Sequence, residues 1–337
     1  MKIVLGRINT LAVFALICLG ILLIAHDTVW VDAAVLIGIQ GLIALSVGLC
    51  YGQGGLLSLA QAPFAAIGAY TTAIITLKFG WSPALGLLLA ILLPSIIAFI
   101  FAKLIIGLDH LPVALATLAF GAIVEIVIRN WEDVTGGYVG LAGIPPLPSL
   151  ETPLSYLILV WGTVVATVLL YENLMSSPYG RALHTIRHDR ARALADGVPV
   201  ASVLSNMFAV SAAISGVAGW LYAHYLSFIG PGDLGTSLSI SVLLMAVVGG
   251  AAEICGPLVG AIILTILARI LPGQEFQNFF YGASLIVVLV VARQGILGLI
   301  LPFLRGRLFR RKPTASGLDL ARQGAIERKP VQGSSVT

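Results

Sequence analysis

The sequence predicts an all-α polytopic membrane protein of about ten transmembrane helices, and three observations carry that expectation. Of the 337 residues, 58% are hydrophobic and only 10% charged, and the mean hydropathy is +1.02. The 19 Lys and Arg and 15 Asp and Glu side chains are too few to cover the surface of a soluble protein of this length. The apolar residues also form continuous runs, unlike the short alternating segments of an outer-membrane barrel. A soluble enzyme, a nucleic-acid binder and a secreted scaffold are thereby excluded. The net charge of +4 does not reinstate nucleic acid as a partner, because eight of the basic residues lie between Arg305 and Lys329, in a tail.

A helix needs about 20 apolar residues to cross about 30 Å of hydrocarbon. Runs of this kind fall at residues 10–25, 33–51, 62–78, 83–106, 111–129, 154–171, 203–226, 238–254, 257–272 and 279–301. Lys2 and Arg7 precede the first run, but Ala25-His26-Asp27 offers no cleavage signal, so that run is expected to stay as a helix. Basic residues mark cytoplasmic loops, which places the N-terminus inside. An even number of passes puts the 172–202 loop and the C-terminal tail inside as well. Their charges agree: Arg181, Arg187, Arg190 and Arg192 lie in the loop, and Arg305, Arg307, Arg310, Arg311 and Lys312 follow the last run. On the expected outer side, residues 26–32 carry Asp27 and Asp32 without Lys or Arg, and 130–153 carries Glu132, Asp133 and Glu151. From about residue 313 the tail is rich in Gly, Ser and charge and is expected to be disordered. Its basic start reads as an orientation signal or as a contact with anionic lipid.

Within the runs, small residues recur at helical spacing: Ser211, Ser215 and Gly219; Gly48 and Gly52; Gly256 and Gly260. Such stripes let helices approach closely. Cys18, Cys50 and Cys255 stand singly in apolar surroundings and are expected to pack rather than to form disulfides or bind metal. The runs are interrupted at Gly52-Gln53-Gly54-Gly55, at Pro94, and at Gly249-Gly250 and Gly256-Pro257. Backbone broken inside a membrane must lie against protein or a water-filled cavity, so breaks point towards a substrate path. Pro94 reads as an ordinary kink, while Gly249 and Gly250 are candidate path residues. Glu125, in TLAFGAIVEIVIRN, is expensive to bury and is the other candidate. Two readings stay open for it, a place on the path or an ion pair with Arg129 one turn on. Lys103 and Arg293 are close enough to helix ends to snorkel.

Several chemistries lack their residues. No GxxxxGK[ST] is present, so the chain has no phosphate-cradling loop of its own. His184 and His188 have the i,i+4 spacing of a zinc helix, but the glutamate of HExxH is missing and arginines surround them, so no metal site is expected. Neither a protease constellation nor the acidic rows of an ion relay appear.

The segment Ser176–Val200, SSPYGRALHTIRHDRARALADGVPV, reads as one short amphipathic helix ending at Gly197. Ala182, Leu183, Ile186, Ala193 and Leu194 supply apolar contacts and arginines flank them. A helix of this kind plugs a partner's groove or lies on anionic lipid. GRALHTIRHDRARALADGVPV resembles the coupling segment of permease subunits of branched-chain amino-acid ABC importers, of the M type. In the same order, YGQGGLLSLAQAPFAAIGAY, TLAFGAIVEIVIRN with TGGYVGLAGIP, MFAVSAAISGVAGWLYAHY and SVLLMAVVGGAAEICGPLVGA support the likeness, which covers about residues 33–300.

The resemblance implies a ten-span permease with inverted repeats, divided into an N-terminal helix and outer loop (1–32), a permease domain (33–302) with its coupling loop at 172–202, and a basic tail (303–337). It implies a multi-pass protein of the bacterial inner membrane, with both termini cytoplasmic, and a transport subunit rather than an enzyme. The implied partners are a second permease subunit in a heterodimer, two cytoplasmic ATPase subunits, a periplasmic substrate-binding protein and membrane lipid, with no cofactor. Gly180, Arg181, Ala182, Arg187, Ala193, Leu194 and Gly197 are the implied contacts for the ATPase. The Thr135–Ile144 loop reads as a contact for the binding protein, as an outer gate, or as a flexible connection. Family members usually carry histidine at Gln61, glutamate at Ala122, arginine at Glu125 and leucine at Asp196, and Asp109-His110-Leu111-Pro112 replaces an Arg-Gly-aromatic stretch. Gln61 therefore joins the candidate path residues. The exchange at Ala122 and Glu125 leaves the cargo open between branched-chain amino acids and urea, short amides or aromatic acids, and the rival class is an ATP-independent channel or secondary transporter.

Overall fold

The computed structural model describes residues 28–270 except 109, 149 and 151, together with residue 296. The expected first and tenth spans and the tail lie outside the described residues.

The expected runs from the second to the seventh are each largely helical; the eighth, expected over 238–254, is helical only to Gly249 because residues 250–255 turn, and the ninth is helical to residue 270, its last two residues lying outside the described ones. Helix α1 (Thr28–Val47) continues into a π-helical turn (Gly48–Gln53), and an extended stretch leads to α2 (Gln61–Lys78). There follow α3 (Pro83–Ile105), α4 (His110–Asn130), a short α5 (Glu132–Thr135), β1 (Leu141–Ala142) and α6 (Pro153–Ser176). Next come α7 (Pro178–His188), α8 (Arg190–Ala195), α9 (Val200–Leu226), β2 (Phe228–Ile229), α10 (Thr236–Gly249) and α11 (Gly256–Ile270). Among the described residues, five helices are long and apolar enough to cross a membrane: 30–53, 83–105, 111–130, 153–176 and 200–226. The shorter count has physical causes. α2 carries Gln61, Thr71, Thr72, Thr76 and Lys78, and the turn at residues 250–255 leaves α10 and α11 short.

α1 is the central helix, with Val35, Leu42, Ile43, Ala44 and Leu45 wholly buried. α9 lies against α2 and α3 at glycine distance: a Cβ on Gly219 would meet the carbonyl oxygen of Ala65 at 1.9 Å, and one on Gly216 that of Ala90 at 1.9 Å. The glycines of the small-residue stripes are therefore packing positions. Pro94 stays within α3, buried beside Gly216. In contrast, α3 and α4 leave Leu88, Ile96, Ile100, Leu104, Leu115, Ile123 and Ile126 exposed. An apolar surface of that extent suits lipid or another membrane subunit rather than water.

The connections segregate to two ends, as alternating passes require. At one end Lys78 Nζ donates to the carbonyl of Asp133, β1 pairs antiparallel with β2, and Tyr225 donates to Asp32 at 2.5 Å. Exposed Trp81, Trp131 and Tyr138 gather there, as aromatic residues do at a membrane interface. At the other end Arg190 donates to the carbonyl of Ile106, Tyr179 to that of Val203, and Gln53 to that of Ala252 at 3.0 Å.

Candidate coupling arm and translocation path

Within the 172–202 loop, the Ser176–Val200 segment corrects the expectation of a single helix. It is two, α7 and α8, because Asp189 leaves the helical conformation (φ −156°, ψ 103°) and its carboxylate accepts from the Arg192 amide at 2.9 Å. A short acceptor side chain satisfies one amide left over at a helix start, which makes Asp189 the N-cap of α8. At the far end Gly197 takes a left-handed φ of +78°. The bonds Gly197 N–H to Leu194 O (3.1 Å) and Val198 N–H to Ala193 O (2.9 Å) close a Schellman motif there. Gly180 permits the corner from α6 into α7, since a Cβ would meet Met175 O at 2.3 Å.

Leu183, Ile186 and Ala193 face the bundle and are buried, in one cluster with Ile105, Val200 and Leu204. Ala182 is half-buried, while Arg181, Arg187 and Leu194 are exposed, Leu194 by 58%. The apolar set read from the sequence thus divides: part of it anchors the arm and Leu194 projects from it. Burial pushes the Tyr179 phenol up to about 12, and its hydroxyl donates to Val203 O. His184 and His188 lie with Nε2 atoms 3.3 Å apart, and among the described residues no group of three or more His, Cys, Asp or Glu is arranged to hold a metal.

Above the arm the chain is broken. A Cβ on Gly55 would lie 3.5 Å from Arg187 Cγ, so α7 abuts the stretch joining the π-turn to α2. Immediately beyond that stretch stands Gln61, 1% exposed. Its Oε1 accepts from Ser215 (3.1 Å) and Ser46 (3.3 Å), and its Nε2 donates to Ser211 (3.3 Å) and Cys50 (3.4 Å). Ser46 and Ser215 are 2.7 Å apart, and Cys50 and Ser211 2.9 Å. This satisfied network ties α1, the π-turn, α2 and α9. Sequence reading missed it, having taken Ser211, Ser215 and Cys50 as packing residues. An i,i+4 serine pair in one run and a lone glutamine in another was the available signal.

At the α10–α11 turn, a Cβ on Gly249 would meet Gly256 O at 1.8 Å, and Gly250 has φ +107°. The π-turn packs on the same corner, with Gly52 against Ala251 O and Gly48 against Pro257. Glu125 lies at the opposite end, paired with Arg129 at 2.5 Å, and its second oxygen faces Thr236 of α10. Ala122 is exposed on the outer face of α4. The Thr135–Ile144 loop is held at several points. Gly136, Gly137, Gly140 and Gly143 have positive φ, Thr135 donates to Ile128 O at 2.6 Å, and Leu141 and Ala142 pair with Ile229 and Phe228.

A helical bundle with apolar outer faces, broken helices and a folded arm at one end defines a membrane permease subunit. Residues 29–289 match the family described as branched-chain amino acid transport system / permease component, and the chain belongs to that family. It is 27% identical over 304 residues to the high-affinity branched-chain amino acid transport system permease protein LivM of Escherichia coli strain K12, covering 82% of this chain and 71% of that protein. A probable LivM from Methanocaldococcus jannaschii is 25% identical over 254 residues, covering 72% of this chain and 71% of that one. LivH of E. coli K12 is 26% identical over 282 residues, covering 76% and 90%. No solved structure matches the chain significantly.

Proposed function

We propose that this chain is the membrane-spanning subunit of an ATP-driven importer of branched-chain or related amino acids. The reading has it cross the bacterial inner membrane ten times with both termini cytoplasmic, its second to fifth and seventh to tenth spans forming inverted repeats. Residues 1–32, 33–302 and 303–337 are the N-terminal helix and outer loop, the permease domain and the tail. A similar permease completes the path, a periplasmic binding protein delivers substrate, and two ATPase subunits bind the arm. One observation carries the proposal. The arm is anchored to the bundle by Leu183, Ile186 and Ala193 while Leu194 projects beside exposed arginines, which is the layout of an apolar knob with charge-assisted contacts for a partner's groove.

In this mechanism ATP binding by the partner moves α7 and α8 as a unit. Gly180 and Gly197 set the ends of that unit, and Arg181, Ala182, Arg187, Ala193 and Leu194 form its two faces. Arg187 pushes on Gly55 and so on the stretch ahead of Gln61. Gln61, Gly249 and Gly250 are the proposed path residues, with the tight Gly249-Gly250 turn as the pivot of its inner end, and Glu125 is proposed to stand at the other end of the path, where it acts on α10 rather than on the cargo. The exchange at Ala122 and Glu125 leaves a second reading of the cargo open, in which the same importer class takes urea, short amides or aromatic acids. Replacing Leu194 with Asp is expected to abolish uptake while membrane insertion persists. Unchanged uptake in that variant refutes the coupling role.

A further inference from the structure

The two oxygens of the Glu125 carboxylate have different partners. Oε1 accepts from the Arg129 guanidinium at 2.5 Å on the same helix. Oε2 lies 3.4 Å from the Thr236 amide and 3.3 Å from its hydroxyl, on a helix 111 residues away in sequence. α10 begins after Gly235, which has no side chain and supplies no cap. A helix start leaves amides unpaired and carries partial positive charge, both of which a carboxylate answers. The space beside Gly235 is taken by the same group, since a Cβ there would meet Glu125 Oε2 at 2.9 Å. The Glu125 side chain is 22% exposed, so water screens these contacts only partly.

Arg129 holds the carboxylate from the other side. Its guanidinium carbon lies 5.9 Å from the ring centre of Tyr138, in the glycine-rich loop. That loop pairs through β1 with β2, the segment leading into α10. The α9–α10 connection is thus tied to α4 and its loop twice, once by a strand pair and once by the carboxylate.

We infer that Glu125 is a positioning residue, an N-cap supplied from α4 that fixes the outer start of α10 through Thr236. The role of Arg129 is to neutralise and orient the carboxylate. The consequence for transport rests on the function proposed above; the cap itself does not. If α10 moves during transport, its outer end is released or carried with α4 according to this contact.

The test uses the full chain in its assembled complex, in nanodiscs, without substrate or ATP. Hydrogen–deuterium exchange is followed in residues 232–242 for wild type, Glu125→Gln, Glu125→Met, Thr236→Val and the double swap Glu125→Arg with Arg129→Glu. Glu125→Gln keeps a weaker acceptor and is expected to speed exchange at the start of α10 about fivefold. Glu125→Met removes the acceptor and is expected to speed it at least about tenfold, with Thr236→Val between wild type and that variant. The double swap is expected to stay fast, because it restores an ion pair but puts arginine at the helix start. Slow exchange in the swap would show that only the pair matters, and unchanged exchange in both Glu125→Gln and Glu125→Met would remove the cap altogether. Uptake then separates positioning from substrate contact. A positioning role lowers maximal uptake at an unaltered half-saturating concentration, whereas a raised half-saturating concentration with unchanged exchange overturns the inference. Altered exchange in a complex whose wild type moves no amino acid would refute the proposed function and leave the cap standing.

Discussion

The two ends of the bundle are held by different physics. At the arm end, side chains such as Leu183 and Ile186 are buried, and α8 is closed by the local Asp189 carboxylate at its start and by backbone bonds around Gly197 at its end. At the Glu125 end, the contacts are a two-residue strand pair, glycines at positive φ and a carboxylate shared between two helices. Burial is non-directional and forgiving of small displacements, whereas a shared carboxylate works at one distance. Between the two ends, the Gln61 network fastens the break above the arm to α1 and α9.

The contrast breaks most severely at the buried face of the arm. Leu183→Ala, at a site with no exposed surface, is expected to cost about 2–5 kcal/mol, seen as a lower melting temperature of the purified protein and faster proteolysis between Arg187 and Arg192. A smaller loss is expected from Gly140→Ala, which forces a residue with a side chain into a φ of +78° and aims its Cβ at Ile229 O, 2.3 Å away. That change should cost about 1–3 kcal/mol and raise amide exchange in residues 141–144 and 227–230 without touching the arm. Gln61→Leu removes a satisfied amide of similar volume and leaves the Ser46–Ser215 and Cys50–Ser211 contacts in place. Its expected cost is about 1–2 kcal/mol, and a melting temperature equal to wild type would show that the network contributes nothing. The smallest effect on stability belongs to Leu194→Ala, under about 0.5 kcal/mol at an exposed site, yet uptake should fall. Equal uptake and equal stability would leave the projecting leucine without a role.

The sequence showed most of the helices and little of what joins them. Continuous apolar runs such as 83–106 and 203–226 are local signals, and α3 and α9 fall where those runs do. The π-turn at Gly48–Gln53 is not local, because Gly48 and Gly52 fit against Pro257 and Ala251, some 200 residues on. The division of the arm was legible in principle: an aspartate ahead of RARALA is a cap signal, hidden by an amphipathic pattern that runs through it. For Glu125 the sequence offered only Arg129, its neighbour on the helix, since nothing along the chain brings Thr236 to it.

Cross-linking tests the central claim most directly. In the assembled complex, with Cys18 replaced by Ser, Leu194→Cys and Tyr138→Cys each place an exposed thiol at one of the two ends, while native Cys50 and Cys255 are buried. With a short bifunctional reagent, the thiol at position 194 is predicted to join the chain to an ATPase subunit and that at position 138 is not. A cross-link to the ATPase from position 138, or none from position 194 in a complex that hydrolyses ATP, would contradict the account.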